Sequence, residues 1–288
     1  MTKLVVGTGY LGLRVAERWR NQGEEVYVTT RFSDRAARLS GDGFRAVVVD
    51  VTCPNTLNHL PRVDTTLYAV GFDRGVGNTI HQVYVDGLAN TINALDGRAE
   101  RFVYISSSGV YGQEDGSWVD EHSDCKPLRP GGQACLEAER RLAAHPLGQR
   151  TVILRMAGIY GPDRVPRRDE LSQGQPITAV ADSYLNLIHV DDAVEAIMAV
   201  EQASQLPELY VVSDGHPVQR GEYFAEIARR MGLSEVTIQP PVEVDRHSRR
   251  SRGDKRLDNR KLCRQLQFSP RYPSFIEGLA SILADPSA

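Results

Sequence analysis

Three glycines, Gly7, Gly9 and Gly12, follow the short apolar run Lys3-Leu4-Val5-Val6 and open a stretch with helical spacing. This G-x-G-x-x-G spacing suits a pyrophosphate. Gly7 permits a tight turn, Gly9 lets backbone approach the phosphates, and Gly12 lets the helix pack against the strand. The helix N-terminus, at Tyr10 and Leu11, adds free N–H groups and a partial positive charge. A second group ends the run Glu25–Thr30, where Thr29-Thr30-Arg31 stand and Arg35 follows one turn on. An acid there would bond a ribose 2′-hydroxyl, whereas hydroxyls and arginines hold a 2′-phosphate. The expectation is therefore NADP(H) as the preferred cofactor, with NAD(H) as the alternative. The plainer reading is that Arg31 and Arg35 are solvated loop charges.

The elements that must position these groups alternate. Leu11, Val15 and Trp19 recur at four-residue spacing over Leu11–Gln22, and Gly23 stands where a C-terminal cap belongs. Ala46–Val51 reads as a third strand, with Asp50 and Val51 at its end to line an adenine pocket. Thr65–Val70 reads as a fourth, after which Val70 and Gly71 pass close to a cofactor. Thr79–Leu95 has a helical pattern, and Arg101–Ile105 is a fifth strand ending in Ser106, Ser107 and Ser108. Strands alternating with helices at these lengths give an α/β fold with a doubly wound parallel sheet, which binds ligands beyond its carboxyl strand ends.

The stretch Val103-Tyr104-Ile105-Ser106-Ser107-Ser108-Gly109-Val110-Tyr111-Gly112 resembles the Ser-Ser-x-x-Val-Tyr-Gly signature of extended short-chain dehydrogenases/reductases of the NAD(P)-dependent epimerase/dehydratase type. Ile153–Pro162 is similar to that family's sixth strand and the loop after it. Asn186–Ala193 resembles its His-Val-Asp-Asp motif, and Leu257–Leu262 with Leu266-Gln267-Phe268 resembles its C-terminal stretch. The resemblance runs from Leu4 to about Tyr272. It implies a Rossmann domain over 1–162, with 186–213 returning to it, and a small C-terminal substrate lobe from 163–185 and 214–288. It also implies Ser106 beside the cofactor, Ser107 bonding a substrate oxygen, and a nucleotide-diphosphate sugar or related small molecule as substrate. Dimers in the family form through two helices, here Thr79–Leu95 and Gln133–Ala144. The second is short and polar, so monomer and homodimer both stay open.

The family's acid/base pair, a Tyr four residues before a Lys, is missing. Aligning Glu139 with the family's helix glutamate puts Gly131 at the Tyr position and Cys135 at the Lys position, and no Tyr precedes any Lys by four residues in this chain. Three readings follow. Another acid, with Tyr111 or Tyr160 as candidates, takes over an epimerase or reductase reaction. Alternatively, hydride moves with little proton transfer from the protein, or the chain binds NADP(H) without turnover as a sensor or partner-binding module. Ser107 with Tyr111 is the candidate catalytic pair. Ser106-Ser107-Ser108-Gly109 is not a hydrolase elbow, because Ile105 stands two residues before Ser107 where that motif needs glycine.

Beyond Asp163 the alternation loosens. Asp191 is expected to cap a helix through Ala193, Ile197 and Val200. Ser108, Tyr160 and His189 are expected at the substrate, although a histidine there can equally only orient its loop. The basic run Arg246–Arg256 reads as a solvated loop or as an anion clamp through Arg250 and Arg252.

The 288 residues carry a net charge of −3, and no apolar run is long enough to span a bilayer, which excludes nucleic-acid and membrane partners. No basic-then-apolar leader precedes Lys3. Four scattered cysteines without C-x-x-C argue against a metal site or a disulfide framework. The expected location is the cytoplasm.

Overall fold

The computed structural model describes residues 1–233, 235–241 and 253–283. Its centre is a seven-stranded parallel sheet with strands β1 (Thr2–Val6), β2 (Glu25–Thr30), β3 (Arg45–Val48), β4 (Val63–Tyr68), β5 (Ala99–Ser107), β6 (Thr151–Met156) and β7 (Glu208–Val212). Their spatial order is β7-β6-β5-β4-β1-β2-β3. The order reverses at β1, the place where such sheets receive a nucleotide. β1 lies between β2 and β4, with Val5 opposite Val28 and Leu67. Leu4, Val5 and Val6 are fully buried, as a strand covered on both faces requires.

The helices follow the expected apolar stripes. α1 (Tyr10–Asn21) buries Leu11, Val15 and Trp19, and Gly23 after it takes a left-handed φ of 82°. α2 is Ser33–Gly41. The helix expected over Thr79–Leu95 differs in one respect: a π turn, Gln82–Asp86, precedes α3 (Gly87–Ala94). A Cβ at Gly87 would lie 2.7 Å from the Val51 side chain, so helix and loop are closely packed there. α4 spans Pro130–Ala144 and begins earlier than its periodicity suggests, because proline suits a first helical turn. α5 (Val190–Glu201) and α6 (Arg220–Arg230) follow.

Two compact units result. The first holds Met1–Val110, Pro130–Arg155 and Val194–Tyr210; the second holds Tyr111–Arg129, Met156–Ala193 and Val211–Ala288. The first has a core around Tyr68, Phe102 and Tyr104. The second has its own core around Tyr160, Tyr223, Phe224 and Phe275. Among the described residues, no helix is long and apolar enough to cross a membrane.

Candidate functional site

In the first unit, the glycine loop joins β1 to α1. Gly7 has a φ of 96°, and a Cβ there would lie 2.8 Å from the Ala69 carbonyl oxygen. A Cβ at Gly12 would run into the carbonyl oxygen of Gly7. Gly9 is different: a Cβ there meets nothing within 4 Å. Gly7 and Gly12 are therefore glycine for packing, whereas Gly9 borders open space. Gly9 is also the N-cap of α1, and no side chain caps that end. Unfilled space in front of uncapped helix amides is what a pyrophosphate needs, so these residues fit a dinucleotide. Two threonines brace the loop: Thr29 Oγ1 accepts from Gly7 N at 3.1 Å, and Thr8 Oγ1 donates to Thr29 O at 2.9 Å. Thr30, the next residue of β2, accepts from Phe32 N through its Oγ1 at 3.4 Å.

The first unit also holds the other residues expected at the cofactor. Tyr10 lies under the Arg14 guanidinium, 4.1 Å from its ring centre. Arg35 donates to the Thr8 carbonyl, tying α2 to the glycine loop. Arg31 pairs with Asp73 at 3.1 Å, and the Gly75 amide, with Arg31 adding to it, holds the Asp73 carboxyl below its usual range. Asp50 follows β3 in a turn, with Oδ1 accepting from Thr52 N at 2.9 Å and Thr52 Oγ1 at 2.7 Å. Val51 is buried, Val70 is half-buried, and Gly71 has open space at its Cα. One bond with no sequence signal reaches the same loop: Tyr84, in the π turn, accepts from Phe72 N at 3.2 Å.

At the end of β5 the serines divide. Ser106 is buried and donates to Glu139 Oε1 at 2.5 Å. Ser107 is half-buried, and its Oγ accepts from Gly109 N at 3.0 Å. Ser108 begins a short 3-10 turn. Behind them, Arg155 grips Glu139 through Nε at 3.1 Å and Nη2 at 2.7 Å, with both side chains buried. Glu139 thus anchors Ser106. Cys135, expected at the position of the family lysine, is buried, and burial with the nearby Glu139 charge pushes its thiol up to about 12. It is a neutral thiol, with no cation to offer a phenol.

The remaining candidates belong to the second unit. Tyr111 is buried, and its phenol donates to the Asp120 carbonyl at 2.7 Å. Tyr160 is fully buried against Gly278, and burial with nearby Asp214 drives its phenol far above the ordinary range. His189 is buried between Tyr160 and Tyr272, with ring centres 5.4 Å and 4.1 Å away. Its Nδ1 accepts from Asp191 N at 3.2 Å. The capping bond at the start of α5 thus comes from His189, where Asp191 was expected to supply it. Asp192 instead ties down the C-terminal segment, accepting from Arg271 N at 2.7 Å and Tyr272 N at 2.9 Å. Arg250 and Arg252 lie outside the described residues. Among the described residues, no three His, Cys, Asp or Glu side chains gather to hold a metal.

The model of the NAD dependent epimerase/dehydratase family matches residues 4–213. The chain belongs to that family. It is similar to Protein YeeZ of Escherichia coli K12, 30% identical over 276 residues covering 93% of this chain and 95% of that protein. It is also similar to a dTDP-glucose 4,6-dehydratase of Streptomyces niveus, 27% identical over 221 residues covering 72% of this chain and 64% of that protein. Among solved structures, a protein from Methylobacillus flagellatus described as a candidate NAD-dependent epimerase/dehydratase superposes with a TM-score of 0.78 at 31% identity, covering 100% of this chain and 99% of that one. The family is NAD dependent, which supports a nicotinamide cofactor for this chain.

Proposed function

We propose that this chain is a nicotinamide-dependent enzyme of the epimerase/dehydratase or reductase type, acting on a nucleotide sugar or a related small molecule. One observation carries the reading: the first unit keeps an open pyrophosphate cradle at Gly9 together with an accessible Ser107 at the end of β5. When bound, the cofactor supplies a hydride acceptor or donor. Ser107 then holds a substrate oxygen, and the buried Arg155–Glu139–Ser106 chain fixes the strand end that presents it. The similarity to a dTDP-glucose 4,6-dehydratase supports the substrate class.

The cofactor reading is NADP(H) in preference to NAD(H). Arg31 and Arg35 flank the loop where a 2′-phosphate would lie, and that phosphate would compete with Asp73 for Arg31. The acid/base group is not a Tyr-Lys pair. Tyr111 reaches a substrate only by giving up its bond to Asp120. A reaction that asks the protein for little proton transfer fits these residues best.

The neutral, buried thiol of Cys135 favours a second reading, a cofactor-binding module without turnover. Titration with NADPH beside NADH, followed by energy transfer from the protein's aromatics, tests the cofactor. Micromolar NADPH binding with at least tenfold weaker NADH binding is expected, and equal affinities overturn the preference. Nicotinamide absorbance with UDP- and dTDP-hexoses then separates the two readings. A substrate-dependent change establishes an enzyme; binding with no change under any of these substrates leaves the module.

A further inference from the structure

β2 ends in Thr29-Thr30-Arg31, with no acid where a carboxylate would bond a ribose 2′-hydroxyl. The structure brings a carboxylate to that place from another strand. Asp73 lies in the loop after β4, and its Oδ2 accepts from Arg31 Nη2 at 3.1 Å.

The sheet order shows what this pair lies across. β1 is flanked by β2 and β4, and its glycine loop is held from both sides. On the β2 side, Gly7 N donates to Thr29 Oγ1. On the β4 side, a Cβ at Gly7 would lie 2.8 Å from the Ala69 carbonyl oxygen and 2.9 Å from Val70 Cα. Arg31 stands just beyond Thr29, and Asp73 just beyond Val70. Their ion pair joins the same two chain segments again past the carboxyl end of β1, where Gly9 borders open space.

The Asp73 carboxylate is fixed for this contact. Its other oxygen, Oδ1, accepts from Gly75 N at 3.0 Å. Both partners stay within reach of a ligand, since the Asp73 side chain is 55% exposed and that of Arg31 30%. A pair this open adds little to the stability of a fold. Among the described residues, Arg31 gives only Nη2 to a protein oxygen, so the rest of its guanidinium fork is available.

Two forms of the nicotinamide cofactor meet this pair differently. A ribose 2′-phosphate bonds a guanidinium but meets the Asp73 carboxylate as a like charge on the same fork. A ribose 2′-hydroxyl is a donor, and a carboxylate accepts from it. Arg31 and Asp73 therefore pull cofactor choice in opposite directions.

We propose that Asp73 is a cofactor-specificity residue: from the loop after β4 it supplies the carboxylate that the end of β2 lacks, occupies the Arg31 fork, and offsets the preference for a 2′-phosphate that Arg31 confers. The proposal rests on the nicotinamide-cofactor reading above and adds to it a residue that opposes the arginine.

The test uses the full chain and Asp73→Asn, which keeps an oxygen for the Gly75 amide and removes the charge. Dissociation constants are measured by calorimetry for NADPH and NADH, and for 2′,5′-ADP and 5′-AMP as adenosine halves with and without the 2′-phosphate. Low salt keeps exposed charges least screened. Asp73→Asn should tighten NADPH and 2′,5′-ADP about threefold or more, the scale of an exposed charge contact, and should leave NADH and 5′-AMP no tighter. The melting temperature should stay at that of the wild type. An unchanged ratio of NADPH to NADH affinity would overturn the proposal. So would a gain with NADPH that 2′,5′-ADP does not share, because the effect would then lie away from the ribose phosphate.

A second pair of variants checks that Asp73 acts through Arg31. In an Arg31→Gln background, Asp73→Asn should lose most of its effect on 2′,5′-ADP. An undiminished gain there would overturn the shared fork. Equal binding of NADPH and NADH by the wild type would end the NADP(H) preference alone, since Asp73 is judged by the shift between wild type and variant. Binding of neither dinucleotide would overturn the cofactor reading and this assignment together.

Discussion

The two units treat buried charge in opposite ways. In the first, buried ions are matched. Glu139 takes both arms of Arg155 and the Ser106 hydroxyl. Glu201 receives Lys3, Thr65 and the Trp19 indole, the last at 2.8 Å. In the second unit, beside the matched pair Arg230–Glu226, charge is crowded. Arg129, Arg220 and Lys255 repel one another. Asp214 Oδ1 accepts from His216 N at 2.9 Å while its buried Oδ2 has no hydrogen-bond partner among the described residues. Burial, with the Asp192 and Glu277 charges adding to it, raises Asp214 to about 8. Matched charges belong to the scaffold, because breaking them leaves an ion without compensation. Crowded charges work against the fold and mark places kept for another purpose.

The largest test of this contrast is Arg155→Met. It strands the Glu139 carboxylate in the core and should lower stability by ~3–5 kcal/mol, read as a shift of the urea midpoint. Replacing both partners, Arg155→Met with Glu139→Leu, should recover most of that loss. A single variant that loses less than about 1 kcal/mol would break the claim that the first unit depends on the pair.

The glycine loop gives the next test. Gly12→Ala forces a Cβ against the Gly7 carbonyl, which is backbone and cannot step aside, so it should cost about 3 kcal/mol. Gly9→Ala meets open space and should leave the melting temperature unchanged while weakening NADPH about tenfold or more. Equal effects of the two substitutions would mean that Gly9 serves packing and that the cradle reading is wrong.

Asp214→Asn carries the contrast into the second unit. The folded carboxyl titrates near 8 against an ordinary 3.8, so the stability it contributes is fully present below 3.8 and is lost as pH rises through 8. The variant should match the wild type at pH 4 and exceed it at pH 8 by up to several kcal/mol, since the separation of the two titrations is worth about 1.4 kcal/mol per pH unit. Parallel unfolding midpoints for the two proteins across that range would show that Asp214 is not strained.

The fold was legible because its signals are local. Gly7, Gly9 and Gly12 follow directly from what a strand–turn–helix needs, and the buried runs of β1 and β5 are visible as apolar stretches. The π turn before α3 was not legible: Gln82–Asp86 carries the same apolar spacing as an ordinary helix, and the close packing of Gly87 on Val51 beside it joins residues distant in sequence. The capping role of His189 was hidden for a similar reason, since its ring is oriented by Tyr160 and Tyr272 from two other segments. The crowded cations Arg129, Arg220 and Lys255 come from three places in the chain. Only Lys255, inside the basic run Arg246–Arg256, stood out beforehand.

The smallest effect concerns Cys135, the residue expected at the family's lysine position. Cys135 lies in the matched unit, and if the contrast holds its thiol is a packing group. A thiol pushed up to about 12 from an ordinary 9.0 has a thiolate fraction at pH 8 roughly a thousandfold below a free cysteine, and the thiolate is the species that alkylates. Iodoacetamide at pH 8 should therefore modify exposed Cys53 and leave Cys135 untouched until the protein unfolds, as read by peptide mass spectrometry. Raising the pH should bring Cys135 into reaction only as the fold weakens, because a group whose folded titration lies above its unfolded one withdraws stability as pH climbs between the two. Labelling of Cys135 as fast as Cys53 at pH 8 would put an accessible thiolate at the lysine position. The first unit would then hold a reactive group of its own, and the search for the missing acid would begin there.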